Sequence, residues 1–176
     1  DVSGAAGTID NPARRRGVIA PLQLFSNGGT ITLSGESGQG SRVDAVLSAH
    51  GGGGGASGGA LTIDDSNSSG SGSTLYVYGA ATDSDIPGHC ASFKFSDLVL
   101  SNGGFASISL VAKNGLELAD GVSLNLPTTA VSITAPTIFA STAGALAQIC
   151  AAYISLYNGK GALAPVAPAA GKLLLE

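Results

Sequence analysis

Methionine and tryptophan are absent from this 176-residue chain, and only 11% of its residues are charged, against about a quarter in an ordinary globular domain. The net charge of −4 and the pI near 4.9 exclude a broad nucleic-acid surface, which needs clustered Lys and Arg to displace counterions. The sole basic cluster, Arg14-Arg15-Arg16, reads as a solvated turn or linker after Asn11-Pro12. The two cysteines, Cys90 and Cys150, form no CxxC pair and show no metal-ligand spacing. They read as small buried hydrophobes, and pairing between them stays open, since a disulfide needs Cα atoms within about 7 Å. No window approaches the ~18 uninterrupted apolar residues of a membrane span; Ala143 to Leu156 comes nearest and is broken by Gln148. The chain begins Asp-Val-Ser-Gly, without an initiator Met, a basic n-region or an apolar h-region. We therefore expect a fragment of a longer chain.

What is present is glycine, 27 residues of it, and short aliphatics within a 44% hydrophobic composition. That mixture suits tightly stacked strands: Val, Ile and Leu fill a narrow interior while Gly, Asn, Asp and Ser make corners. Gly28-Gly-Thr-Ile-Thr-Leu-Ser-Gly35 alternates Ile31 and Leu33 against Thr30, Thr32 and Ser34, and its twin is Gly58-Gly-Ala-Leu-Thr-Ile-Asp64. Ile108-Ser-Leu110-Val-Ala-Lys-Asn-Gly-Leu116 matches Val131-Ser-Ile133-Thr-Ala-Pro-Thr-Ile138 with one residue dropped, and Ile133–Ile138 matches Ile149–Ile154 directly. These copies begin roughly 16 to 23 residues apart, a spacing expected of a solenoid.

Further short strands are expected at Leu75–Tyr78, Phe93–Phe95, Leu98–Leu100, Leu116–Leu118 and Val122–Leu126, with one starting at Gly171–Glu176. Asn102-Gly103-Gly104, Asn114-Gly115 and Asp120-Gly121 supply corners that accept positive φ. The same dipeptides could make hairpins and an antiparallel sandwich; rungs repeated in series favour the solenoid. Ala143–Tyr157 also shows helical spacing, but the internal repeat argues for strand. Residues 1–28 read as an irregular lead-in. Residues 29–176 read as the repeat segment, with long loop insertions in the first half at 36–58 and 64–73. The glycine run Gly51–Gly55 has no following GK[ST] and reads as a flexible part of such an insertion, not a phosphate cradle.

Chemistry is thinly signposted. Asp64-Asp65, Asp83 with Asp85, and Asp97 are the candidate carboxylates for a polysaccharide-acting enzyme, yet each sits in or beside a turn, where Asp is favoured for bonding to backbone. His50 and His89 are lone histidines; His89-Cys90 with Asp85 makes a poor zinc set, and no GxSxG elbow appears. No cofactor, metal or catalytic residue is expected. Tyr76 and Tyr78, beside the Ser/Gly-rich stretch Ser66–Ser73, are the candidate ligand-binding residues, as exposed aromatics next to a loop.

Residues 28–35, 102–118 (Asn-Gly-Gly-Phe-Ala-Ser-Ile-Ser-Leu-Val-Ala-Lys-Asn-Gly-Leu-Glu-Leu), 131–138 and 152–156 together resemble the repeat region of filamentous-haemagglutinin-like exoproteins, the large adhesins of bacterial two-partner secretion. The resemblance covers about two thirds of the chain and rests on repeat patterns, without a catalytic signature. It implies an all-β, right-handed parallel β-helix, a secreted or cell-surface location and export through an outer-membrane secretion partner. The implied role is a non-catalytic stalk or adhesive segment facing a host or neighbouring-cell receptor or glycan, with self-stacking into filaments open to it. The alternative is a β-helical carbohydrate-active enzyme or polysaccharide-binding module. The two cysteines and the long early loops depart from the family's pattern and leave room for a specialised insertion.

Overall fold

The computed structural model describes residues 1–9, 22–34, 41–43, 45–67, 74–79, 93–158 and 172–176. Arg14–Arg16, Asp83, Asp85, His89 and Cys90 lie outside the described residues; Cys150 is a free, half-buried thiol. The strands in chain order are β1 (Ala6–Ile9), β2 (Leu22–Phe25), β3 (Thr30–Ser34), β4 (Ser41–Val43), β5 (Ala60–Asp64), β6 (Thr74–Tyr78) and β7 (Phe93–Ser96). After the helix α1 (Asp97–Ser101) come β8 (Ser107–Val111), β9 (Gly115–Leu118), β10 (Ser123–Thr134), β11 (Ile138–Ala140), β12 (Leu146–Tyr157) and β13 (Lys172–Leu175). The protein is mostly β, as its Val/Ile/Thr/Leu alternation requires.

Two sheets are wholly parallel: a six-stranded one in the order β13-β12-β10-β8-β5-β3 and a five-stranded one in the order β11-β9-β6-β7-β4. Parallel neighbours cannot be joined by a tight turn. Here the connection runs through the other sheet: β8 leads to β9, β9 to the first half of β10, and the second half of β10 returns beside β8. The next circuit repeats it, with β11 beside β9 and the two halves of β12 beside the two halves of β10. Ser107 pairs with Ala130 and Ala130 with Tyr153, a step of 23 residues each time.

This register places Ile108 and Leu110 against Val131 and Ile133, and Leu116 against Ile138, the correspondence read from the sequence with its one-residue contraction. Thr30–Ser34 lies against Ala60–Asp64 residue for residue, as the glycine-led twins suggested. The second internal match is corrected: Ile133 pairs with Leu156, and Ile149 with Leu124. That match compared residues on different parts of the circuit, an error that alternating short aliphatics invite because any register with the right parity looks similar.

Side chains point alternately inward and outward, and the inward ones form rows across the sheets. Leu61, Ile108 and Val131 make one row, and Ile63, Leu110 and Ile133 another, all at 1% exposure or less. Leu75, Val77, Phe93, Phe95, Leu116 and Leu118 line the facing sheet, and Leu124, Leu126 and Ile149 close the core from the first halves of β10 and β12. The rows lose cover at their ends: Ile31, Leu33 and Ile154 are half-buried and Leu156 is 51% exposed.

Four other expectations change. Residues 1–28 contain the antiparallel pair β1–β2, short strands that a Gly- and Pro-punctuated stretch hides. The proposed 36–58 loop contains β4, whose three residues are too few to show a period but pair with β7. Leu98–Leu100 lies in α1, where Leu100 turns inward and Leu98 out; three residues cannot separate helix from strand. Helix α1 lies beside the start of β10, and its Asp97 carboxylate accepts the Ser123 N–H at 3.4 Å, a bond a neighbouring strand would otherwise make. Of the corner glycines, Gly104 and Gly121 have positive φ, whereas Gly115 instead opens β9 as a strand residue. The Ala143–Tyr157 ambiguity resolves as the strand β12.

Candidate functional site

A groove of about 510 Å³ opens where the turn at 50–58, the end of α1 and the corner at 125–129 meet. Its volume falls in the range of small-ligand pockets. Leu100, Phe105 and Leu126 are buried beneath it, while His50, Ser57, Asn125, Pro127 and Thr128 are exposed on its rim. None of its described lining residues is Asp, Glu, Lys or Arg.

The groove's walls are set by backbone. The Gly4 N–H donates to the His50 carbonyl at 2.6 Å and the His50 N–H to the Ser3 hydroxyl at 3.2 Å. The imidazole lies against Gly104, where φ is +65° and any Cβ would overlap the ring. The Ser57 N–H donates to Asn27 Oδ1 at 2.9 Å and the Gly28 N–H to the Ser57 carbonyl at 3.0 Å. The Thr129 hydroxyl, buried, donates to the Phe105 carbonyl at 2.6 Å and ties two successive circuits together at the corner. The glycine run is a built turn: Gly53, Gly54 and Gly55 all have positive φ, and a Cβ at Gly54 would overlap the Phe25 ring, while one at Gly53 would only crowd it. Glycine alone adopts three such conformations in succession without strain.

The tyrosines nominated from the sequence lie elsewhere and are covered. Tyr76 and Tyr78, at 5% and 8% exposure, stack with ring centroids 6.2 Å apart on β6, in the middle of the five-stranded sheet. They were expected to be exposed; strand alternation shows which face they take, but not what covers that face. Burial, and next the buried Glu117 paired across from it on β9, push the Tyr76 phenol above its ordinary value, while a hydrogen bond with Ser141 pulls the other way. Among the described residues the exposed aromatics are Tyr153 at 64% and Tyr157 at 58% on β12 and, less so, Phe25 at 37% on β2.

The candidate carboxylates divide among corners. Asp64 Oδ1 accepts the Ser66 N–H at 2.8 Å in a turn, Asp65 is fully buried after β5, and Asp97 opens α1 after β7. Among the described residues no three of His, Cys, Asp and Glu are grouped to hold a metal ion, and no helix is long and apolar enough to cross a membrane. His50 was noted in the sequence only as a lone histidine. Asn125 and Thr128 carried no signal, because the groove joins residues from three separate stretches of chain.

Comparison with protein-family models, with characterised proteins and with solved structures found no match.

Proposed function

We propose that the chain is a stretch of right-handed parallel β-helix from a secreted or surface-exposed filamentous exoprotein, serving as a non-catalytic stalk that displays an adhesive surface. The observation that carries this reading is the 23-residue step by which successive circuits stack in register. A coil of this kind grows by nearest-neighbour contacts and extends without a closed core. The outward positions support it: Ser107, Asn125 and Ser132 on the six-stranded sheet are small and uncharged, which suits a long display surface. A non-catalytic role is supported by the turn and backbone bonds of Asp64 and Asp97. On this reading the partners are an outer-membrane transporter during export and a receptor or glycan on a host or neighbouring cell.

Sequencing the parent gene and its neighbours tests the proposal. We expect an export signal, a secretion domain, many further repeats of this step and an adjacent outer-membrane transporter gene. A short gene encoding little beyond these residues would refute it.

A further inference from the structure

The groove's composition narrows what an adhesive surface here could hold. An anion moved into it would lose water and meet no Lys or Arg among the described lining residues, on a chain of net charge −4; an unpaired charge is costly to desolvate. A cation would find no carboxylate among those described residues either. A wholly apolar ligand would strand the imidazole, hydroxyl and amide groups of His50, Ser57, Asn125 and Thr128 on the rim. The remaining class is a neutral molecule rich in hydroxyls with apolar C–H faces. Its hydroxyls would meet the rim, and its C–H faces would rest on Pro127 and the floor formed by Phe105 and Leu126.

We propose that this groove binds a short segment of an uncharged glycan, through His50, Ser57, Asn125 and Thr128. The proposal deepens the adhesive reading and rests on it for the ligand's origin on a cell surface. The Thr129 hydroxyl is already committed to the Phe105 carbonyl, so it shapes the corner and does not contact the sugar. The groove's shape precedes the ligand, because Gly104, the glycine turn and the Asn27–Ser57 bond hold its walls. Preformed walls spare a weak ligand the cost of ordering them.

The test is an NMR titration of the whole 176-residue chain with cellotetraose, maltotetraose and lacto-N-neotetraose, and separately with trigalacturonate and a heparin hexasaccharide. We expect saturable millimolar binding of at least one neutral probe, about 4 kcal/mol at 1 mM, with shifts centred on residues 50, 57, 125 and 128. The double variant Asn125→Ala/Thr128→Ala and the groove-filling Thr128→Trp should each weaken it about tenfold. All these positions are exposed, so both variants should keep the parent's melting temperature. Absence of binding by every neutral probe, shifts mapping elsewhere, or preference for the anionic probes would overturn the proposal. Adherence of the chain to epithelial cells is measured in parallel. Groove binding without adherence refutes the adhesive reading and leaves the glycan site standing, whereas adherence unchanged in both variants places adhesion elsewhere and makes the groove's ligand a free sugar.

Discussion

Tyr76 shows how position decides a side chain's chemistry. As a sequence feature it looked like a surface aromatic; in the sheet it is a buried phenol whose ionisation is opposed by burial and by the Glu117 charge. Its folded-state pKa therefore lies above the ordinary value of 10.0, at which the unfolded chain ionises. The stability this represents is complete below pH 10 and is lost as pH rises from there through the raised folded value. Tyr76→Phe should flatten the alkaline arm of the stability-against-pH curve above about pH 10 in urea titrations; a variant as steep as the parent would exclude Tyr76 as the cause.

At the scale of the element, the strands are interchangeable in pattern but unequal in energy. Ile133 and Leu156 are partners in the same inward row, yet Ile133 is 1% exposed and Leu156 51%. Truncating Ile133 to Ala should cost about 2–5 kcal/mol, as deleting buried methyl groups does. Leu156→Ala should cost less than about 1 kcal/mol, since half its surface is already in water. Equal losses in equilibrium urea unfolding would mean that the row is uniformly covered. The strand pattern, the glycine-led twins and the contraction between Ile108–Leu116 and Val131–Ile138 were legible beforehand, because period 2 and turn residues are local properties. The helix at Asp97–Ser101 and the strand at Ser41–Val43 were not: both are too short for periodicity to speak, and each takes its form from what lies alongside.

Across the whole molecule, the parallel sheets end in edges. The second half of β12 pairs with β10 on one side, and among the described residues no strand pairs with its other side. Around that edge Tyr153, Leu156 and Tyr157 are exposed, as are Leu173, Leu174 and Leu175 on β13. Edges of this kind recruit further strands, so self-stacking into filaments, which the resemblance leaves open, would use this edge. Tyr153→Lys with Leu156→Lys should lower the concentration-dependent light scattering of the chain, because charge at an edge opposes strand addition. Scattering that persists undiminished would assign association to another surface.

By itself the sequence determined the class of structure. Alternating aliphatics admit strands, scarce charge argues against a nucleic-acid surface, and recurring short motifs imply that strands stack on one another. Each of these follows from neighbours within a few residues. The tertiary structure alone decided which strand lies beside which, that β7 inserts between β4 and β6, that Tyr76 and Tyr78 are covered, and that His50, Asn125 and Thr128 share one groove. Those outcomes depend on contacts between residues dozens of positions apart, where every register of matching parity satisfies the local pattern and only packing across the core selects one.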